Sequence, residues 1–483
     1  MPPSKNWFVN FGGNVECYPS AIVVPESEAD VLAALGQHRG RAIHAIGRGH
    51  SWSEAAVGDD VLLDLRKLDA VRVDDSGPEP IATIGAGCQI KHVLTELNRC
   101  GLTLPSVGLI SEQTIAGAIS TATHGSGRHS LAHYVSAVTL ATYDPATGQP
   151  ILRTLSAGDE LRAARCSLGT LGIITSVDVS VRGQYFVEEH LREYRELADV
   201  LAAEEEFPLQ QFYLVPWRWT YLAQHRREVS GPRSLLAPLY RAYWFAIIDV
   251  GLHVWLQVLV KMLRSAALVR AFYRWLVLLF VVRGWRVSDR SDRQLIMEHE
   301  LFRHIEIELF VGRSRLAEAL DYVRQVLTLC GGDTSAIAPH TQAKLTELQL
   351  ADQLDDLAGT YTHHYAICVR QVLPDDTLIS MTSGSMTSGA GEPSYAISLI
   401  SYARPDERRS FLALADFLTR SMTRLFDARP HWGKVCPLSP DEAQRLYPRL
   451  DEFRAICRRY DPAGIFQNRW KRQLFWQQPS REE

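Results

Sequence analysis

The sequence predicts an α+β protein of two domains, on three observations. Short apolar runs alternate with amphipathic helical runs between residues 20 and 100. Three glycine-bearing turns accompany strands or helices within 130 residues. Beyond Gly183 the texture changes to longer helical patterns and alternating strands. A chain of 483 residues is also too long for one simple core.

The elements follow in order. "SAIVVP" reads as a strand, and "SEADVLAALGQHRG" as a helix with a Ser-x-x-Asp start and a glycine stop. "AIHAIG", "VLLDL" and "PIATIGAG" are short apolar strands, and "QIKHVLTELNRCG" is a second helix. Later, "HIEIELFV" (304–311), "HHYAICVR" (363–370) and "YAISLISYA" (395–403) predict an antiparallel sheet. One face of that sheet is expected to pack on helices and the other to line a cavity.

Composition narrows the function. The chain is 46% hydrophobic and 22% charged, with a formal net charge of −4, so no nucleic-acid partner is expected. Its eight cysteines contain no C-x-x-C pair, which points to reduced thiols and a cytoplasmic location. The N-terminus has no long apolar run of the secretory kind. Residues 235–284 stand apart, rich in Trp, Leu, Val and Tyr with scattered Lys and Arg. Three readings are open there: a pair of buried helices, an interfacial hairpin that lies on the inner face of a membrane or lines a lipophilic substrate entrance, or a span, which Asp249 and His253 interrupt.

The glycine turns "GRGH", "AGAISTATHGSG" and "SLGTLG" let backbone N–H groups approach a ligand closely and suit a large phosphate-bearing molecule. Their spacing matches neither a P-loop nor a Rossmann fingerprint. In "HIEIELFV", strand alternation puts His304, Glu306, Glu308 and Phe310 on one face. Two carboxylates so placed in a buried site need a cation or a shared proton.

Several ordered motifs together carry a resemblance. "NWFVNFGGNVECYPSAIVVPESEADVLAAL", "AIGRGHSWSEAAVGDDVLLDL", "EQTIAGAISTATHGSG", "SLGTLGIITSV" and the ending "RPHWGKVCPL…YDPAGIFQN" look like vanillyl-alcohol-oxidase-type flavoproteins, nearest to the sugar-1,4-lactone oxidase group. The resemblance implies a two-subdomain FAD-binding domain over 1–183, a cap with an antiparallel sheet over 184–428, and a 429–483 segment completing the FAD domain and active site. It implies FAD contacts at Gly47, Arg48, Gly49, His50, Ser51, Ser111, Thr114, Gly117, Ser120, Thr123, His124, Gly125, Gly169, Gly172, Ile174 and Asn468. His50 matches the histidine that bonds covalently to the flavin 8α-methyl, and Lys434 in "HWGK" matches an active-site lysine. Glu306, Glu308, Lys434 and His129 are the implied catalytic groups, with no metal. Ser398 and Ile400 are further contacts, and Cys436 stands where lactone oxidases often carry His.

The function expected is therefore oxidation of a hydroxyl-bearing carbon of a sugar-derived substrate, an aldonolactone or polyol. Electrons would pass through FAD to O2 or another acceptor. The apolar stretch 235–284 supports a second expectation: a membrane-associated enzyme acting on a lipid-linked sugar or lipophilic alcohol. A third is a flavin-binding redox partner without turnover of its own.

Overall fold

A computed structural model describes residues 6–297, 303–384, 391–402, 404 and 407–476. The first five and last seven residues of the expected terminal segments lie outside it.

Ser27 caps the helix Glu28–Gln37, its side chain accepting from the Asp30 N–H as the start signal predicts. That helix connects parallel strands: Ala21–Val23 and Ile43–Ile46 flank Val61–Asp64 in a three-stranded sheet. A second sheet is antiparallel, in the order Pro150–Leu155, Val135–Tyr143, Ile173–Ser180, Ile81–Gly85, Val71–Asp74. One hydrophobic core joins residues between Val31 and Val181 to a return segment between Trp432 and Phe475. The C-terminal stretch thus closes onto the first part of the chain. Two small two-stranded sheets accompany these, Phe8–Val9 with Glu16–Cys17 and Leu102–Thr103 with Arg182–Gly183, and a large sheet lies in the stretch expected to form the cap.

The cap sheet has eight strands, ordered Val287–Arg290, Phe186–Tyr194, Thr220–Val229, Gln211–Val215, Ile367–Val372, Ser394–Ser401, Ile305–Gly312 and Arg429–Pro430. All its pairings are antiparallel. Ile305, Ile307, Leu309 and Val311 are fully buried on one face, in a core with the helices Leu316–Cys330 and Arg409–Phe426. The alternate residues, including Glu306 and Glu308, face the other way. The 363–370 strand starts later than its apolar pattern suggests, at Ile367, because His363 and His364 sit in a buried connection before it.

Residues 237–279 form a helical hairpin on the cap. One arm is the helix Ala237–Met262, which passes through π-type turns at Trp244–Leu252 and Val258–Met262. The return arm begins with Ala266–Ala271 and continues through Phe272–Leu276 and Val277–Leu279. Leu256, Leu259, Val269, Phe272 and Tyr273 pack inward against Tyr365, Ile400 and Tyr402. The reading of two buried helices fits this inner face only. Leu239, Phe245, Trp255, Met262, Trp275 and Leu279 are exposed on the outside.

Candidate active site

A cavity of about 1630 Å³, part of it open to solvent, runs from the glycine turns to the cap sheet. Nine consecutive residues, His44 to Trp52, form one wall. A wall made of an unbroken chain segment brings main-chain groups to the ligand, and the glycines make this possible. A Cβ on Gly47 would collide with Thr114 Oγ1, and Gly49 holds φ +69° against Phe8. Thr114 is fixed in turn, because it caps the helix Ile115–Ser120 by accepting from the Gly117 N–H.

The 50s turn is tied to the C-terminal segment. Trp52 N–H donates to the Gly433 carbonyl at 2.8 Å, and Ser53 Oγ to the Trp432 carbonyl at 2.6 Å. The Trp52 indole donates to the His304 carbonyl at 2.7 Å, and the Lys434 ammonium lies 4.4 Å above its ring. His50 lines the cavity and stacks on Phe11, with ring centroids 5.0 Å apart.

The cap end holds the charged groups. Glu306 and Glu308 are 4% and 1% exposed. Two anions buried this deeply are tolerated only when cations meet them. Lys434 pairs with Glu306, and Arg370 donates to Glu308 Oε1 at 2.6 Å. His124 Nε2 lies 3.5 Å from Glu308 Oε2. Ser398 Oγ sits between the acids, 2.7 Å from Glu306 Oε1 and 2.8 Å from Glu308 Oε1.

Sheet register explains the cluster. Glu308 pairs with Ser398, and Ser398 pairs on its other side with Cys368, two residues before Arg370. The 431–435 segment runs beside the glutamates: His431 N–H donates to the Glu308 carbonyl and Val435 N–H to the Glu306 carbonyl, both at 2.9 Å. The residues between them bulge outward, and Lys434 is one of these. His431 Nδ1 accepts from the Gly433 N–H at 2.9 Å and stabilises the bulge.

Burial pushes the Glu308 carboxyl up, but Arg370, His124 and Lys434 outweigh it and hold it well below the usual carboxylate range. Glu308 is a fixed anion. Burial holds His431 well below the usual histidine range, so it stays neutral. His124, Glu308 and His431 bring donor atoms within 4.8 Å of one another. Arg370 already neutralises Glu308 there, so this trio needs no metal for charge balance.

Most of the expected contacts meet at this cavity. Gly47, Arg48, Gly49, His50, Ser51, Thr114, Gly117, Ser120, Thr123, His124, Gly169, Gly172 and Ile174 line it, as do Glu306, Glu308, Lys434, Ser398 and Ile400. Four residues stand behind the wall instead. The Ser111 carbonyl accepts from the Lys91 N–H, and a Cβ on Gly125 would meet the Val107 carbonyl. Asn468 donates to the Glu54 and Val57 carbonyls at 2.6 and 2.8 Å, so it pins the turn that follows the cavity wall. His129 is the clearest correction. Its Nδ1 is 2.6 Å from the Pro374 carbonyl and its ring stacks on His133, so the structure does not bring it to the acids.

Sequence reasoning missed Arg370, His431, Cys368, His44 and Lys471, all of which line the cavity. Arg370 carried a signal, as a lone charge in an otherwise apolar strand. Lys471 is fully buried, donates to the Phe466 carbonyl at 2.6 Å, and is pulled down to about 7 by burial.

Comparison with known proteins agrees with this geometry. Residues 19–147 match the FAD binding domain family, and residues 210–474 match the D-arabinono-1,4-lactone oxidase family. A long-chain alcohol oxidase from an uncultured marine euryarchaeote is 56% identical over 95% of each chain. An L-gulono-1,4-lactone dehydrogenase from Mycobacterium tuberculosis is 26% identical over 96% of this chain and 98% of its own. A crystal structure of cholesterol oxidase from B. sterolicum superposes with a TM-score of 0.70 at 15% identity, covering 98% and 99% of the two chains, and so shares the fold. The cavity fits the cofactor these matches imply: it is long, walled by glycine-rich backbone and hydroxyl side chains, and contains the buried Thr123 hydroxyl, which lacks a hydrogen-bond partner among the described residues. This chain is an FAD-linked oxidoreductase acting on CH–OH groups and belongs to the D-arabinono-1,4-lactone oxidase family.

Proposed function

We propose that the protein oxidises the terminal CH–OH group of a long-chain alcohol and passes the electrons to O2, with release of H2O2. One placement carries this reading. Ile400 lines the cavity as the register partner of Glu306, and it packs in the same cluster as Leu256 and Leu259 of the apolar hairpin. An apolar element therefore abuts the reactive end, where a sugar lactone would need polar partners. The relative with 56% identity is named a long-chain alcohol oxidase, which supports the same reading over the aldonolactone or polyol.

FAD, when bound, supplies the hydride acceptor. The turn 47–51 and cavity-lining residues between Thr114 and His124 would hold it, and we read His50 as its covalent anchor to the flavin 8α-methyl carbon. Glu306 takes the hydroxyl proton. Arg370 holds Glu308 as a fixed anion, which leaves Glu306, paired with Lys434, as the general base. The Lys434 ammonium offsets charge on the alcohol oxygen as the proton leaves.

The test is H2O2 release with primary alcohols from butanol to hexadecanol, beside L-gulono-1,4-lactone, D-arabinono-1,4-lactone and xylitol. Each methylene buried adds about 0.8 kcal/mol, so kcat/KM should rise roughly fourfold per carbon until the chain is covered. Turnover of the lactones with none of the alcohols would overturn the reading.

A further inference from the structure

The hairpin leaves a face that none of the described residues covers. Fourteen of the nineteen large exposed apolar side chains among the described residues lie between Leu235 and Val282. Scattered exposed leucines are ordinary, whereas a contiguous patch marks an interaction surface. Leu279, Met262 and Trp275 are 76%, 73% and 70% exposed. They lie at the end of one arm and along the other.

Charge indicates what the face meets. Between residues 235 and 286 there are seven Lys and Arg and a single carboxylate, Asp249, in a chain whose formal net charge is −4. Asp249 is buried, and four of the seven cations meet carboxylates outside the hairpin: Arg241 pairs with Asp289, Arg264 with Glu407, Arg283 with Glu193 and Arg286 with Glu188. Lys261, Arg270 and Arg274 form no ion pair among the described residues and give the hairpin its positive charge. Apolar side chains interspersed with cations suit an anionic lipid surface, where the apolar groups enter the acyl boundary and the cations stay among the headgroups.

The same helix is held out of a crossing orientation. Ala237–Met262 is long and apolar enough to span a bilayer. At its middle, however, Asp249 and His253 are buried, and His253 Nε2 is 3.2 Å from the Tyr365 hydroxyl. Tyr240 donates to the buried Glu189 at 2.6 Å, and Glu189 pairs with Arg226. One side of the helix is thereby built into the cap, and only the other side is available to lipid.

We propose that residues 235–282 dock this protein onto an anionic lipid bilayer as an in-plane helical hairpin, without crossing it. The proposal does not depend on which alcohol the enzyme oxidises, because its test reads binding alone.

The test is cosedimentation of the full-length flavoprotein with vesicles of phosphatidylcholine alone or with phosphatidylglycerol. Wild type should pellet with the anionic vesicles at least tenfold more than with the neutral ones, and high salt should weaken this. The variant Trp255→Ser/Met262→Ser/Trp275→Ser/Leu279→Ser should stay in the supernatant with an unchanged flavin spectrum. Should that variant misfold, Trp255→Phe/Trp275→Phe gives a second readout: bromolipid quenching of tryptophan fluorescence should be present in wild type and largely lost in the variant. Three results would overturn the proposal: no pelleting with either vesicle, equal pelleting with both, or a wild type that self-associates through this face and ignores vesicles.

Discussion

Arg370 donates to Glu308 at 2.6 Å with both side chains almost wholly buried, and this pair fixes the anion on which the site is built. Removing one partner of a buried pair costs about 3–5 kcal/mol, because the other charge is left uncompensated. Arg370→Met should therefore lower Tm by several degrees, as read by calorimetry. Arg370→Met/Glu308→Gln should recover most of that loss, since it removes both charges. A double variant as unstable as the single would disprove the pairing argument.

The proposed function gives Glu306 and Glu308 different roles, although they are two residues apart. Glu306→Gln should lower kcat by about 10²–10⁴ with flavin content unchanged, the range for losing a general base. Glu308→Gln should affect Tm as well as turnover, because it strands Arg370. Steady-state kinetics beside a thermal scan separates the two. Equal effects of both substitutions on both readouts would contradict the assignment.

Acid should destabilise the cap before it protonates the carboxylates. His363 and His364 are fully buried, and burial pulls them down to about 3 and about 4. Folded, they stay neutral, while the unfolded chain binds protons below about pH 6.5. Their contribution is complete above that pH and is lost as pH falls towards 4 and then 3. The slope is about 1.4 kcal/mol per pH unit for each histidine. Tm measured from pH 7 to pH 4 should fall steadily, and His363→Asn should flatten the curve by up to one proton.

His50→Ala should leave a protein that still folds but releases its flavin in acid. Denatured wild type should give a yellow pellet, and its His50 peptide should carry the mass of FAD. The variant should give a colourless pellet and a yellow supernatant. A wild-type flavin that is itself released by acid would show non-covalent binding and would overturn the tether while leaving the cavity assignment intact.

Features fixed by local chemistry were legible in the sequence. Gly47 and Gly49 are demanded by close approach and a left-handed turn, and the alternation in "HIEIELFV" places both acids on one face. Features created by sheet order were not. Arg370 meets Glu308 across the intervening Ser394–Ser401 strand, and only the eight-stranded order places them together. His129 illustrates the reverse: it is five residues from His124 in sequence, yet it turns to the Pro374 carbonyl. The outward face of the hairpin was also hidden, because π-type turns break the 3.6-residue period that would separate its two sides.

Under the proposed function, a long-chain alcohol would reduce the flavin bound in this cavity. Anaerobic mixing of the purified flavoprotein with dodecanol or with a sugar lactone, while the oxidised-flavin band is followed, tests it most directly. Rapid bleaching by dodecanol, slowed at least a hundredfold in Glu306→Gln, is the predicted result. Bleaching by the lactone with no response to dodecanol would contradict it.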